Sequence, residues 1–242
     1  DLIKIEINAG NCTDATLFST ATLTGTLSVP VNAEGSAIFT DLRIDCAGTG
    51  FILRASAQEG NLVQALSNPA FQVVKGQAAA LRYLTQPEDT VADEKIKDEN
   101  NGDIVIAVVD AGGNIVDGCN NKQIKMTKTG GHASATVSGD TATVQNGKAT
   151  FNNLSMAYVG LDYRLIGDVQ NDFAGSCNNI ATQQSSAFNI TANQLEFYSE
   201  VTSKAAGAAL GSIKVRAVDD FSTTDTTFDG TIKLSLSGGN PA

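Results

Sequence analysis

Hydrophobic and polar residues alternate with a period of two in short runs along most of the chain. Ile104, Ile106 and Val108 share one face of 104–110, and Ile124 and Met126 project between lysines in 123–128. Leu81 and Tyr83 do the same in 78–86, Tyr163 and Leu165 in 162–169, and Phe188 and Ile190 in 185–191. Shorter alternating pieces occupy 135–138, 141–145, 148–151 and 154–157. Clusters of Gly, Asn and Asp separate these runs, so the pattern predicts strands joined by turns. A helical stripe comes nearest to forming at 205–210, where Gly207 breaks it.

The pattern also repeats, at an offset of about 110 residues. Gly35-Ser36-Ala37-Ile38-Phe39-Thr40-Asp41-Leu42 recurs as Gly147-Lys148-Ala149-Thr150-Phe151-Asn152-Asn153-Leu154. Gly48 then matches Gly160, Phe51 matches Tyr163, and Leu53 matches Leu165. Ile104-Val105-Ile106-Ala107-Val108-Val109-Asp110 recurs as Ile213-Lys214-Val215-Arg216-Ala217-Val218-Asp219. The repetition divides the chain into a partial repeat at 1–76, a complete one at 77–192 and a partial one at 193–242. The first holds the later strands of a repeat and the last holds its opening strands, with Ile232-Lys233-Leu234 corresponding to Ile124-Lys125-Met126.

Roughly seven to nine half-apolar strands in about 115 residues must bury their inner faces against a second sheet. The expectation is an all-β chain of tandem immunoglobulin-like sandwiches, with a core built on Phe39, Leu42, Phe51, Val108, Phe151, Leu154, Tyr163 and Phe188. Phe71–Val74 and Phe188–Ile190 run almost directly into the following repeat, so the linkers are short and a semi-rigid rod is expected. Half a sandwich exposes apolar faces and unpaired edges. Two readings follow: the chain was cut from a longer array, or the tail of one copy completes the head of the next in a non-closing fibre. Asp1 is not preceded by methionine or a leader, which fits a processed product or a piece of something longer.

The formal charge of −10 argues against nucleic acid or an anionic membrane surface as partner, since both need a basic face. No apolar run reaches the ~20 residues that span a bilayer, so membrane insertion is not expected. The four cysteines allow three pairings. Cys12–Cys46 and Cys119–Cys177 is the pairing that keeps each bridge within one repeat, and it places the chain in an oxidising, extracellular compartment. Buried unreactive thiols are the alternative. Zinc is not expected, because no CxxC spacing occurs and His132 is the only histidine.

Candidate chemistry is sparse. His132 follows Thr129-Gly130-Gly131, a turn sequence that suits an exposed histidine better than a catalytic base. Glu88, Asp89, Asp93, Glu94, Asp98, Glu99 and Asp103 form an acidic stretch that could hold calcium, but the spacing matches no EF-type loop and a solvated loop is expected. Asp219, Asp220 and Asp225 are a weaker calcium candidate. Gly130-Gly131 and Gly238-Gly239 read as hairpin turns. No cofactor and no enzymatic activity are expected.

The middle repeat resembles the tandem bacterial immunoglobulin-like repeats of large surface adhesins of the invasin and intimin type. The likeness rests on Leu81 with Gln86-Pro87, on Val108-Val109-Asp110 with Gly113-Asn114-Ile115-Val116, and on Gly147-Lys148-Ala149-Thr150-Phe151. It continues through Leu154, Gly160, Tyr163-Arg164-Leu165 and Phe188. The third repeat lacks both the Gln-Pro pair and the Gly-Asn turn, and the cysteines are not general in that family. The resemblance implies a secreted spacer or adhesive module at the cell surface, with no catalytic residues. Its expected partners are adjacent repeats, copies of itself, or a host or cell-surface ligand. A carbohydrate-binding module of a larger secreted protein is the alternative, weakened by the absence of tryptophan.

Overall fold

The computed structural model describes residues 1–170, 177 and 180–236. Gly238-Gly239 therefore lies outside the described residues. Those described are almost wholly strand, turn and extended chain; the one helical element among them is a 3₁₀ turn at Asp117–Cys119. The first segment holds β1 (Leu2–Cys12), β2 (Leu23–Thr24), β3 (Ser28–Pro30), β4 (Arg43–Ile44), β5 (Gly48–Ala57), β6 (Ala65–Leu66) and β7 (Phe71–Val73). The middle segment holds β8 (Ala80–Tyr83), β9 (Thr90–Val91), β10 (Ile104–Val109), β11 (Gln123–Thr129), β12 (Thr141–Thr143), β13 (Lys148–Phe151), β14 (Gly160–Gln170), β15 (Gln183–Gln184) and β16 (Phe188–Thr191). The last holds β17 (Gln194–Phe197) and β18 (Val215–Val218).

The middle segment is sandwich-like. A three-stranded sheet ordered β13-β10-β8 faces a sheet ordered β12-β11-β14-β16-β9, with β15 also on β14. The period-two pattern dictates this arrangement, because Ile104, Ile106 and Val108 leave β10 on one face and must be covered. They meet Ile124 and Met126 of β11 and Leu165 of β14 in one buried cluster. Phe151, Leu154, Tyr163 and Phe188 complete it, each no more than 2% exposed. The Tyr163 hydroxyl donates to the Tyr158 carbonyl (2.9 Å) and accepts the His132 N–H (3.0 Å), so the one polar atom of that ring is satisfied. Gly131 lies directly over the same ring, at φ 59°, where a Cβ would come within 2.1 Å of it.

The first segment has one principal sheet, β3-β1-β5-β6 with β7 also on β5. Phe51 is fully buried in it. Phe39 and Leu42, expected in the core, are half-buried instead. Their counterparts Phe151 and Leu154 are covered by β10 and its neighbours, and nothing equivalent to β8 or β10 lies within residues 1–76 to cover the earlier pair. For the same reason residues 36–40, which match β13, form no strand: β13 exists through its ladder with β10 (Ile104↔Phe151 to Ala107↔Lys148).

Other expected strands are corrected too. Residues 135–138 and 154–157 contribute isolated bridges, including Ser138↔Ser155, not strands. Ile232-Lys233-Leu234 forms no strand, since the last segment has no counterpart of β14 among the described residues to pair with it. At the second boundary β16 ends at Thr191 and β17 begins at Gln194, whereas at the first β7 ends at Val73 and β8 begins only at Ala80.

Candidate functional site: the two inter-segment junctions

The buried polar groups of this protein gather where one segment meets the next. Asp110, Asn114, Asp219 and Asp225 are four of the five buried polar or charged residues among those described. At the first junction Asp110 follows β10 and opens a turn in which its carboxylate accepts the N–H groups of Gly112 and Asn114 (both 2.9 Å). Its other oxygen accepts the N–H of Gly76, in the linker, at 2.7 Å. Burial pushes the Asp110 carboxyl up, but the N–H groups of Gly76, Asn114 and Gly112 with the Asn114 side chain outweigh it and hold the group below the usual carboxylate range.

The turn aims Asn114 back into the first segment. Its side-chain oxygen accepts the Ala47 N–H (2.7 Å) and its side-chain nitrogen donates to the Asp45 carbonyl (2.9 Å). One amide thus closes a two-point bond to the backbone of a bend in the neighbouring segment. The approach is close: a Cβ on Gly112 would lie 2.1 Å from the Asp45 carbonyl oxygen. Leu17 adds an apolar contact, packing against Ala107, Val109 and Ile115 on the outer face of β10.

The second junction repeats the device with altered parts. Asp219 is the counterpart of Asp110, and one of its oxygens accepts the N–H groups of Phe221 and Thr223 (both 2.9 Å). The other accepts the Val159 N–H at 2.8 Å. Val159 is the counterpart of Ala47, so the same backbone donor is gripped at both boundaries. The linker N–H, here Ala192, is taken by Asp225 (3.0 Å), which also accepts the Thr227 hydroxyl and N–H. Burial again raises both carboxyls, and the bonds they accept lower each below its ordinary value. Asp93 of the middle segment is raised instead, first by burial and then by Asp220 and Asp219 across the junction.

The cysteines form Cys12–Cys46 and Cys119–Cys177, with S–S distances of 2.00 and 2.04 Å. Cys46 sits between Asp45 and Ala47, the two residues that Asn114 holds. Gly118, beside Cys119, lines a cleft with Lys75, Gly76 and Gln77 of the linker. One bridge therefore belongs to the segment on each side of the first junction. The second junction has rings in that place. Tyr158, the counterpart of Cys46, stacks between His132 (4.6 Å) and Phe221 (4.3 Å).

The other candidates resolve into structural roles. His132 is half-buried, its Nδ1 accepts the Ser134 N–H, and its ring packs on Tyr158, so it is placed as a packing residue. The acidic stretch from Glu88 is a loop that leaves Glu88, Asp89, Asp93, Glu94 and Glu99 exposed to solvent and is tied down by a few hydrogen bonds. Asp89 accepts the Asn189 backbone and side-chain N–H groups, Asp98 accepts Asn100 and Gly102, and Lys95 pairs with Asp103 at 2.5 Å. Among the described residues no group of three His, Cys, Asp or Glu side chains is placed to hold a metal ion. Of the weaker calcium candidates, Asp219 and Asp225 accept backbone N–H groups, Asp225 also accepts the Thr227 hydroxyl, and Asp220 accepts the Asn193 side-chain amide at 3.1 Å.

Asn114 was visible in the sequence as part of a Gly-Asn turn, with nothing to show that its amide reaches into the preceding segment. Tyr158 and Phe221 left no signal, lying outside the alternating runs. The chain matches no protein-family model and no curated protein. No helix among the described residues is long and apolar enough to cross a membrane.

Proposed function

We propose that this is a structural or adhesive protein of the extracellular surface: a rod of immunoglobulin-like repeats whose working parts are the junctions. The observation that carries the reading is the recurrence of one grip at both boundaries, on the equivalent N–H groups of Ala47 and Val159. A buried N–H must be bonded, so each junction has one favoured docking of its two segments. Repeating that docking along a chain yields extension at fixed angles. The two disulfides suit an oxidising, extracellular-type environment. They brace the segments on either side of the first boundary, where a pulling force would be transmitted. The resemblance to surface-adhesin repeats points the same way.

Small-angle X-ray scattering of the purified protein tests this. The expected particle is elongated, with one maximum dimension that salt leaves unchanged. A distribution of shapes typical of freely jointed segments would overturn it. Glycan-array binding abolished by changing an exposed aromatic such as Tyr198 would instead favour the carbohydrate-binding reading.

A further inference from the structure

Residues 13–22 form a loop that belongs to the first segment and reaches onto the middle one. Both of its ends are fastened to the bend at 45–47. The Thr13 N–H donates to the Ala47 carbonyl (2.8 Å), and the Thr22 N–H donates to the Asp45 carboxylate (2.8 Å). The Cys12–Cys46 bridge closes the same base covalently. At the tip, a turn at 15–17 carries Leu17 onto Ala107, Val109 and Ile115 of the middle segment. Phe18 follows against Gly113, where a Cβ would lie 3.6 Å from its ring. Asp14 shapes the turn by accepting the Thr16 hydroxyl (2.6 Å) and the N–H groups of Thr16 and Leu17. Its carboxyl is held below the ordinary range, first by that hydroxyl and last by Lys148 of β13, across the junction. The loop is a strap: its base is the bend that Asn114 grips, and its tip lies on the segment that carries Asn114.

The second junction is built without a strap. Gly131 overlies the Tyr163 ring as Gly10 overlies that of Phe51, so His132-Ala133 stands where Asn11-Cys12 does. Tyr158 stands at the place of Cys46, and the stack of His132 on Tyr158 replaces the bridge. The residues that follow turn inward, with Ala135 buried in the middle segment's own core.

We infer that the Cys12–Cys46 bridge is a redox-operated lock on the first junction. Closed, it holds the strap and the gripped bend as one unit against the middle segment. Opened by a thiol reductant, it releases the strap and lets that junction bend, while the second junction keeps its angle. The inference rests on the rod reading above and adds control of one of its joints. Cys46 is fully buried and Cys12 half-buried, so Cys12 is the side of the bridge open to a reductant. A dithiol's thiolate attacks the Cys12 sulfur, and the Cys46 sulfur leaves as a thiolate and takes up a proton. The second thiol of the reductant then displaces Cys12 as it closes to its own disulfide, leaving two protein thiols and one oxidised dithiol. Without the covalent tie, the chain between the two cysteines regains freedom that only the hydrogen bonds at the strap's base oppose. Asn114 is then left gripping a bend that is itself loose.

Amide exchange on the whole chain tests it, with Cys12→Ser/Cys46→Ser as the opened lock and Cys119–Cys177 left intact. The Ala47 amide should exchange on the order of ten-fold faster than in the unmodified protein, while the β1–β5 ladder around Glu6↔Arg54 and the Val159 amide keep their rates. Leu17→Lys, which leaves the bridge closed, should accelerate Ala47 in the same way. A dithiol reductant added to the unmodified protein should also speed Ala47, and reoxidation should restore the slow rate. An unchanged Ala47 rate in either variant or under reductant overturns the inference. So does an equal rise at the β1–β5 ladder or at Val159 in the double variant, which would make the bridge a staple of general stability. Scattering of the oxidised, unmodified protein judges the rod reading separately. A rod of one length there, with an unchanged Ala47 rate in the variants, leaves the rod standing and removes the lock.

Discussion

Asn114 shows how much of this structure depends on single polar side chains at boundaries. Its amide satisfies the Ala47 N–H and donates to the Asp45 carbonyl. Asn114→Ala leaves a buried donor without a partner, which costs about 1–3 kcal/mol. Urea unfolding followed by a probe in the first segment should show that loss there. The carboxylates add a pH dependence whose sign follows from their direction. Asp110, Asp219 and Asp225 are held below their ordinary values, so their stabilisation is complete above the unfolded carboxylate range near pH 4 and is lost as pH falls through the lower folded values. Asp93 runs the other way, raised by burial and by Asp220 and Asp219, so its charge opposes docking at neutral pH. Asp93→Asn should raise the melting temperature at pH 7, by a margin that shrinks as pH falls through the carboxylate range. An unchanged margin would show that the like charges do not interact. None of this was legible in the sequence, because the spacing of Asp and Asn in a turn does not reveal what lies across it.

At the scale of strands, the alternating pattern was a reliable guide wherever a partner strand is present. The runs around Ile104, Ile124, Tyr163 and Phe188 all became strands, with their apolar faces in one cluster. The pattern misled where the partner is missing. Residues 36–40 and Ile232-Lys233-Leu234 alternate as well as their counterparts do, yet form no ladder, because a strand is defined by what it pairs with. The contrast predicts unequal costs for equal substitutions. Phe151→Ala should destabilise by about 3–5 kcal/mol, as expected for a fully buried ring. The same change at half-buried Phe39 should cost well under half of that in a dilute monomer. Equal losses in thermal unfolding would mean that Phe39 is covered as completely as its counterpart.

For the molecule as a whole, the repeat was the most legible feature, and it anticipated how closely β17 follows β16. The sequence could not show that the two disulfides flank one boundary, since that depends on how neighbouring segments touch. Each closes a loop, with sequence separations of 34 and 58, worth on the order of 3–4 kcal/mol in the chain-entropy model. Reduction should therefore lower the melting temperature of the first and middle segments while β17 and β18 respond little. Amide hydrogen exchange at Ala47 and Val159 tests the shared grip most directly. If the junctions are docked as described, both amides exchange as slowly as those of the β10 core, Asn114→Ala frees Ala47 and not Val159, and Asp219→Ala frees Val159 and not Ala47. Rapid exchange at both positions in the unmodified protein would mean that the segments hang loosely from one another, and the rod would not exist.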